Sequence, residues 1–315
     1  MGSALTSAPP AGHAVERRPL RRLARVLFLV RYRFFLFAGL LPYLLGAAWA
    51  YAMAGSFDAA MFWSGFGGVV LAVIGVEAYN EYFDARMGTD RVFNPHDVPP
   101  VRDTVFWIGT AAFAGALSMG IYLMTRAGWP ILVFALAGGA AAIFYEAPPL
   151  RWSYRGLGET VIGLAYGPWM VLGSLYLHSR EVSWSALLAS LVPGLLIMAL
   201  AVVNAIPDFH QDRLVGKRNL VVRFGRARAV WLYLALAAAG LLVAAVGVAG
   251  RAFPIACLAA LLAVPPLVAS GKCAVRTFET PRQFLPAMRN MVVCYVVAVT
   301  LFAVGILSHA AWPVR

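Results

Sequence analysis

The chain of 315 residues is 61% hydrophobic with a mean hydropathy of +0.75, which excludes a water-soluble globular domain and points to an all-α polytopic membrane protein. Its 26 Lys and Arg against 14 Asp and Glu give a net charge of +12, and the placement of those cations decides between nucleic-acid binding and membrane topology. Cys257, Cys273 and Cys294 lie in or beside apolar stretches without C-x-x-C spacing, which excludes a disulfide framework and a zinc site.

Residues 1–16 are rich in Ala, Pro, Ser and Gly and read as a disordered tail. Residues 17–315 read as one bundle of nine transmembrane helices, at roughly 34–53, 59–84, 104–124, 130–147, 158–178, 185–207, 228–249, 252–270 and 290–309. The first is too long and too polar at its start for a cleaved signal peptide. Of the 26 Lys and Arg, 22 precede span one or lie in the connections after spans two, four, six and eight, whereas Arg126, Arg180, Arg251 and Arg315 lie on the other side. The positive-inside rule therefore predicts a cytoplasmic N-terminus and an outer C-terminus. The charge is a topology signal, so the expected partner is membrane lipid and not nucleic acid. The Arg-rich 17–33 segment is suited to anionic headgroups.

Span one carries Pro42 and Gly46, which permit a kink and close packing. Span two ends in Glu77, Asn80, Glu81 and Asp84. At about 100° per residue the three acids fall at about 0°, 40° and −20°, with Asn80 beside them at about −60°. Asp90 points away if the helix continues, but Gly88 offers a turn that returns it to the cluster. Acids inside a membrane span are functional candidates. The polar loop Arg91–Pro100 lies above this stripe; a gate, an acceptor contact and a plain connector all remain open, and its His96 lacks ligand spacing.

Two prolines, Pro148 and Pro149, stop span four. The loop that follows sets Tyr145, Arg151 and Arg155 near the membrane surface. They read either as substrate-binding side chains or as an interfacial aromatic and arginine belt. Span six ends in a second stripe, Asn204, Asp208 and Asp212, spaced i, i+4, i+8. Pro207 is predicted to kink it. Lys217 and Arg218 follow at once, well placed for the outer oxygens of a diphosphate. Spans seven to nine read as packing and as the wall of a lipid-facing groove.

Both stripes fall on the side with the excess of cations, so a cytoplasmic-side active-site cavity is expected. Two facing acidic stripes repel unless a cation lies between them. Clustered carboxylates with amide oxygens suit a hard ion such as Mg²⁺, held by a few carboxylates plus phosphate oxygens. Such a site binds a diphosphate while the greasy tail runs into the bundle, which shields a carbocation from water.

Asn80-Glu81-Tyr82-Phe83-Asp84 with Asp90, and Asp208-x-x-x-Asp212 followed by Gly216-Lys217-Arg218, resemble the paired motifs of the UbiA superfamily of intramembrane prenyltransferases. Tyr154-Arg155-Gly156-Leu157-Gly158-Glu159 and Pro42-Tyr43-Leu44-Leu45-Gly46 resemble its dihydroxynaphthoate, menaquinone-type branch. The resemblance implies a Mg²⁺-dependent transfer of a prenyl group from a prenyl diphosphate to an aromatic, quinone-precursor-like acceptor. It assigns metal binding to Glu81, Asp84, Asp90, Asp208 and Asp212, and catalysis to Asp84, Asp208, Asp212 and Lys217. Substrate contacts fall to Asn80, Asn204, Arg218, Tyr145, Arg151 and Arg155. The chain departs from the pattern at Glu81 for Asp, Pro207 for a frequent Arg, Ala205 for a frequent Asn and Ser153 for a frequent Lys. The departures motivate an alternative, a cyclase of the same scaffold that quenches the cation without an acceptor. A transporter or lipid-binding protein is the non-enzymatic alternative, disfavoured because no acid lies deep in another span.

Overall fold

The computed structural model describes residues 33–87 and 103–311. Asp90, the 91–100 loop, the Arg-rich segment before Arg33 and the 1–16 tail lie outside the described residues. The described residues form helices and no strand. In chain order they are α1 (Arg33–Ala52), α2 (Ala59–Met87), α3 (Asp103–Ala127), α4 (Pro130–Ile143), α5 (Gly158–Ser179), α6 (Trp184–Ala205), short α7 (Phe209–Leu214), short α8 (Leu220–Phe224), α9 (Arg226–Ala249), α10 (Ile255–Thr277) and α11 (Pro281–Ala311). Among the described residues, α2, α3, α5, α6, α9, α10 and α11 are long and apolar enough to cross a membrane, and α4 is a shorter apolar helix.

Each predicted apolar span falls on one of these helices. The largest displacement is at the end, where α11 begins at Pro281 rather than near 290. Arg282 and Arg289 lie on that helix. Charge marks where apolar surface stops, not where the backbone stops being helical.

α6 is the central helix. Its Val192, Leu196, Leu200 and Val203 are fully buried, and it packs against α5, α9 and α11. Trp63, Trp107, Trp129, Trp184 and Trp231 are exposed instead, as expected where the outer surface meets lipid rather than water. Without a hydrophobic drive between helices in lipid, small residues set close approaches. Gly194 on α6 shows this: a Cβ there would lie 2.8 Å from the Gly163 carbonyl oxygen and 3.2 Å from the Gly167 Cα. That crossing sets the start of α5 against the end of α6. Pro168 lacks an N–H, and α5 widens into a π-turn over Ala165–Trp169.

The other pairing that positions the site is α2 on α3. Tyr79 stacks on Phe106 with centroids 5.3 Å apart, and its hydroxyl meets Thr110 Oγ1 at 3.0 Å. Tyr79 and Tyr82 are thereby buried. Glu77, Asn80, Glu81 and Asp84 fall on the opposite face of α2 and are half-buried.

At the end of α6 the structure corrects the expected kink. The helix stops at Ala205, and the next, α7, starts at Phe209. Proline both removes a donor and disfavours helical backbone at the residue before it. Pro207 therefore ends the helix, and the i, i+4, i+8 stripe is divided between α6, a turn and α7.

Candidate active site

The divided stripe still converges. Asn204, Asp208 and Asp212 line one cavity of about 160 Å³, together with Tyr145, Glu146, Ser153 and Glu159 from the α4–α5 connection and the start of α5, and Lys217 and Asn219 from the turn after α7.

Lys217 joins this cavity to the first stripe. Its ammonium donates to Asp84 Oδ1 at 2.9 Å and to Glu146 Oε1 at 3.3 Å. Only 10% of its side chain is exposed, against 4% for Glu146 and 29% for Asp84. Burial alone would lower the Lys217 pKa, but Asp84, Glu146 and Asp212 outweigh it and hold the ammonium above the ordinary lysine value. Lys217 thus links Asp84 of the first motif to the cavity that Asp208 and Asp212 line.

The turn that carries Lys217 is tightly specified. Its N–H donates to the Asp212 carbonyl at 2.8 Å. Asn219 donates through Nδ2 to Asp212 Oδ2 at 2.6 Å and accepts the Val222 N–H on Oδ1 at 2.8 Å, capping α8. Glu159 Oε1 accepts the Leu220 N–H at 2.9 Å. Burial pushes Asp212 up to about 6.

The arginines divide. Arg151, in a left-handed backbone conformation at φ 46°, lies over the Tyr154 ring at 5.5 Å, and Lys217 lies over the same ring at 5.6 Å. Arg155 and Arg218 are exposed. Arg155 donates to the Pro149 carbonyl at 3.1 Å, and the Arg155 and Arg218 carbonyls both accept from Arg223. Asn80 and Glu81 stay on α2, outside the cavity lining.

Residues 39–292 match the UbiA prenyltransferase family. The chain belongs to that family. The protein is therefore a prenyltransferase by family, and its helices form the UbiA fold. A relative from Mycobacterium tuberculosis (strain ATCC 25618 / H37Rv), a 1,4-dihydroxy-2-naphthoate octaprenyltransferase, is 30% identical over 256 residues, covering 78% of this chain and 82% of the relative. A UbiA homologue from Aeropyrum pernix K1, solved in its apo form, superimposes with a TM-score of 0.65 at 18% identity, over 85% of this chain and 96% of that one. A UbiA homologue from Archaeoglobus fulgidus bound to GPP and Mg²⁺ gives a TM-score of 0.55 at 14% identity, over 87% and 96%.

Among the described residues of this UbiA protein, no three acids or histidines converge on one point. The donor set nevertheless fits a hard divalent ion. Hard oxygens stand on both motifs, and Mg²⁺ is commonly held by one or two carboxylates with phosphate oxygens completing the shell. Asp84, Asp208 and Asp212 would hold it, with Glu81 on α2.

Sequence reasoning missed Glu146, Asn219, Ser153 and Glu159 as parts of the site. Glu146 was the most legible of these: it is a charged residue ending an apolar helix directly ahead of a Pro-Pro stop. Asn219 reads as a cap of a short helix, which it is; its second bond, to Asp212, has no sequence signal.

Proposed function

We propose that this protein ionises an allylic prenyl diphosphate at the cavity between its two acidic motifs and transfers the prenyl group to an aromatic, quinone-precursor-like acceptor. One observation carries the reading: Lys217 bonded to Asp84 and Glu146 beside a cavity lined by Asp208 and Asp212. A cationic donor and four carboxylates at the edge of an apolar bundle suit an anionic headgroup on a hydrocarbon tail. The naphthoate-prenylating relative and the GPP- and Mg²⁺-bound homologue support the same chemistry.

In this reading Asp84, Asp208 and Asp212, with Glu81 and Asp90, would hold Mg²⁺, which would supply Lewis-acid stabilisation of the leaving diphosphate. Lys217 donates to the diphosphate oxygens as their charge grows. Asn80 and Asn204 orient the carboxylates beside them. Arg151, Arg155 and Arg218 neutralise charge at the cavity rim, and Tyr145 flanks the acceptor. The apolar bundle keeps water from the allylic cation. All nine predicted spans cross the membrane, and both motifs face the cytoplasm.

The test is pyrophosphate release by purified protein in detergent. Geranyl, farnesyl and geranylgeranyl diphosphates are each supplied with Mg²⁺ or EDTA, with and without dihydroxynaphthoate. Release that needs metal and the aromatic acid is expected, falling at least 100-fold in Asp84→Asn and Asp208→Asn. Release that proceeds without acceptor, yielding cyclised product, would replace the transferase with a cyclase. No metal-dependent release from any of these donors would overturn the reading.

A further inference from the structure

We propose that Glu146 is a positioning residue for prenyl transfer: it holds the Lys217 ammonium on the buried side of the site, so that Asp84 can exchange its bond to Lys217 for a divalent ion. The inference rests on the prenyl-transfer reading above, in which Asp84 is a metal ligand, and adds a residue that lies in neither acidic motif.

Lys217 Nζ donates to Asp84 Oδ1 at 2.9 Å and to Glu146 Oε1 at 3.3 Å. The two acceptors differ in exposure: 29% of the Asp84 side chain is accessible, against 4% of the Glu146 side chain. The ion pair therefore has an open end and a closed end. Mg²⁺ gives up its waters reluctantly and keeps several when bound, so a hard ion that enters with a diphosphate meets the open end, Asp84. The closed end is built to keep the ammonium. Ser153, itself buried, hydrogen-bonds the Glu146 carboxylate, and the Tyr154 ring faces Lys217 Nζ at 5.6 Å. The Lys217 N–H donates to the Asp212 carbonyl at 2.8 Å, which fixes the backbone and leaves the flexible side-chain stem to pivot.

Two cations on one carboxylate repel each other. Lys217 and a divalent ion thus compete for Asp84, which holds down the affinity for metal alone. Withdrawing Lys217 from that competition needs a second partner, because an ammonium driven from Asp84 into an apolar bundle would stand unpaired. Glu146 is that partner. It lowers the cost of releasing Asp84 and keeps Nζ inside the site, where the diphosphate then meets it. Glu146 acts on metal binding only through Lys217, which separates it from a carboxylate that ligates or attracts the ion directly.

The experiment measures the Kd for Mn²⁺, an ion of the same ligand preference as Mg²⁺, from the spin-resonance signal of the free ion, without donor or acceptor. The proteins are full-length wild type, Glu146→Gln, Glu146→Asp, Lys217→Gln and the Glu146→Gln, Lys217→Gln double variant, all in detergent. Lys217→Gln should bind Mn²⁺ about tenfold more tightly than wild type, and Glu146→Gln about tenfold more weakly, within the usual range of coupling between sites. Glu146→Asp, which keeps the charge, should recover most of that loss. In the Lys217→Gln background, Glu146→Gln should change Kd less than twofold. The same tenfold loss in both backgrounds would overturn the proposal, because Glu146 would then act on the ion itself. So would a Lys217→Gln variant that binds Mn²⁺ no more tightly than wild type, or a Glu146→Gln variant with unchanged Kd. The double variant removes both partners of the pair and decides the matter if either single variant is unstable: binding about tenfold tighter than wild type is expected, and binding equal to wild type would overturn the positioning role. Pyrophosphate release is measured beside it. If wild-type release needs no metal, the prenyl-transfer reading falls and takes the proposal with it; if release needs metal while the Kd pattern fails, the proposal alone falls.

Discussion

Lys217 is the residue on which the site turns, because one buried ammonium answers carboxylates from two separate parts of the chain. Removing one partner of a buried ion pair costs about 3–5 kcal/mol, whereas removing both can be close to neutral. Lys217→Gln should therefore lower the thermal midpoint in detergent by several degrees, and adding Glu146→Gln should restore part of the loss. Pyrophosphate release should stay at least 100-fold down in both variants, because only the ammonium serves the diphosphate. Recovery of activity in the double variant would show that Lys217 is structural. The sequence made half of this pair plain: Lys217 follows an acidic stripe by five residues. The other half was not legible, since Glu146 lies 71 residues away in sequence and reads locally as an acid at a helix end.

Elements meet through two connections, and a glycine decides how closely. Arg223 donates from Nε to the Arg218 carbonyl at 3.0 Å and from Nη2 to the Arg155 carbonyl. Its guanidinium thereby lies over Gly156, where a Cβ would collide with it. Gly156 also has φ 71°, a left-handed conformation that costs an L-residue about 1–2 kcal/mol. Gly156→Ala should lower the thermal midpoint and speed proteolysis in the α4–α5 connection. Gly139→Ala, a change inside α4 with open space around the new methyl, should leave both unchanged or slightly improved. Equal effects of the two would refute the latch. Gly156 was visible in the sequence as part of the Tyr154–Glu159 motif, but its contact with Arg223 was not, because it depends on an arginine of a different connection. The Pro207 reading failed for a related reason. Proline announces a break, yet whether a helix bends or stops depends on what the freed backbone finds next.

At the scale of the molecule, the helices have two distinct ends, and the charge count assigns them to opposite sides of the membrane. At one end Arg180 donates to the Arg126 carbonyl at 2.9 Å, tying the α3–α4 and α5–α6 connections together. At the other, Lys217 ties the end of α2 to the α4–α5 and α7–α8 connections. Among the described residues, the first end holds Arg126, Arg180 and Arg251, and the second holds most of the other cations. Much of this was legible in sequence, because hydropathy and loop charge both act locally along the chain. The convergence of Asn204, Asp208 and Asp212 on one cavity was not, since it needed the turn at Pro207. The positive-inside rule predicts which end faces the cytoplasm, and that expectation is open to direct measurement. In a background with Cys257, Cys273 and Cys294 replaced, Arg213→Cys and Glu181→Cys each put one thiol at an exposed position on opposite ends. A membrane-impermeant maleimide should label Arg213→Cys in inside-out vesicles but not in intact cells, and Glu181→Cys the other way round. The reverse pattern would move the diphosphate site to the outer face, where no cytoplasmic pool of prenyl diphosphate reaches it. Labelling of both from one side would mean that α6, the one long helix between them, fails to cross.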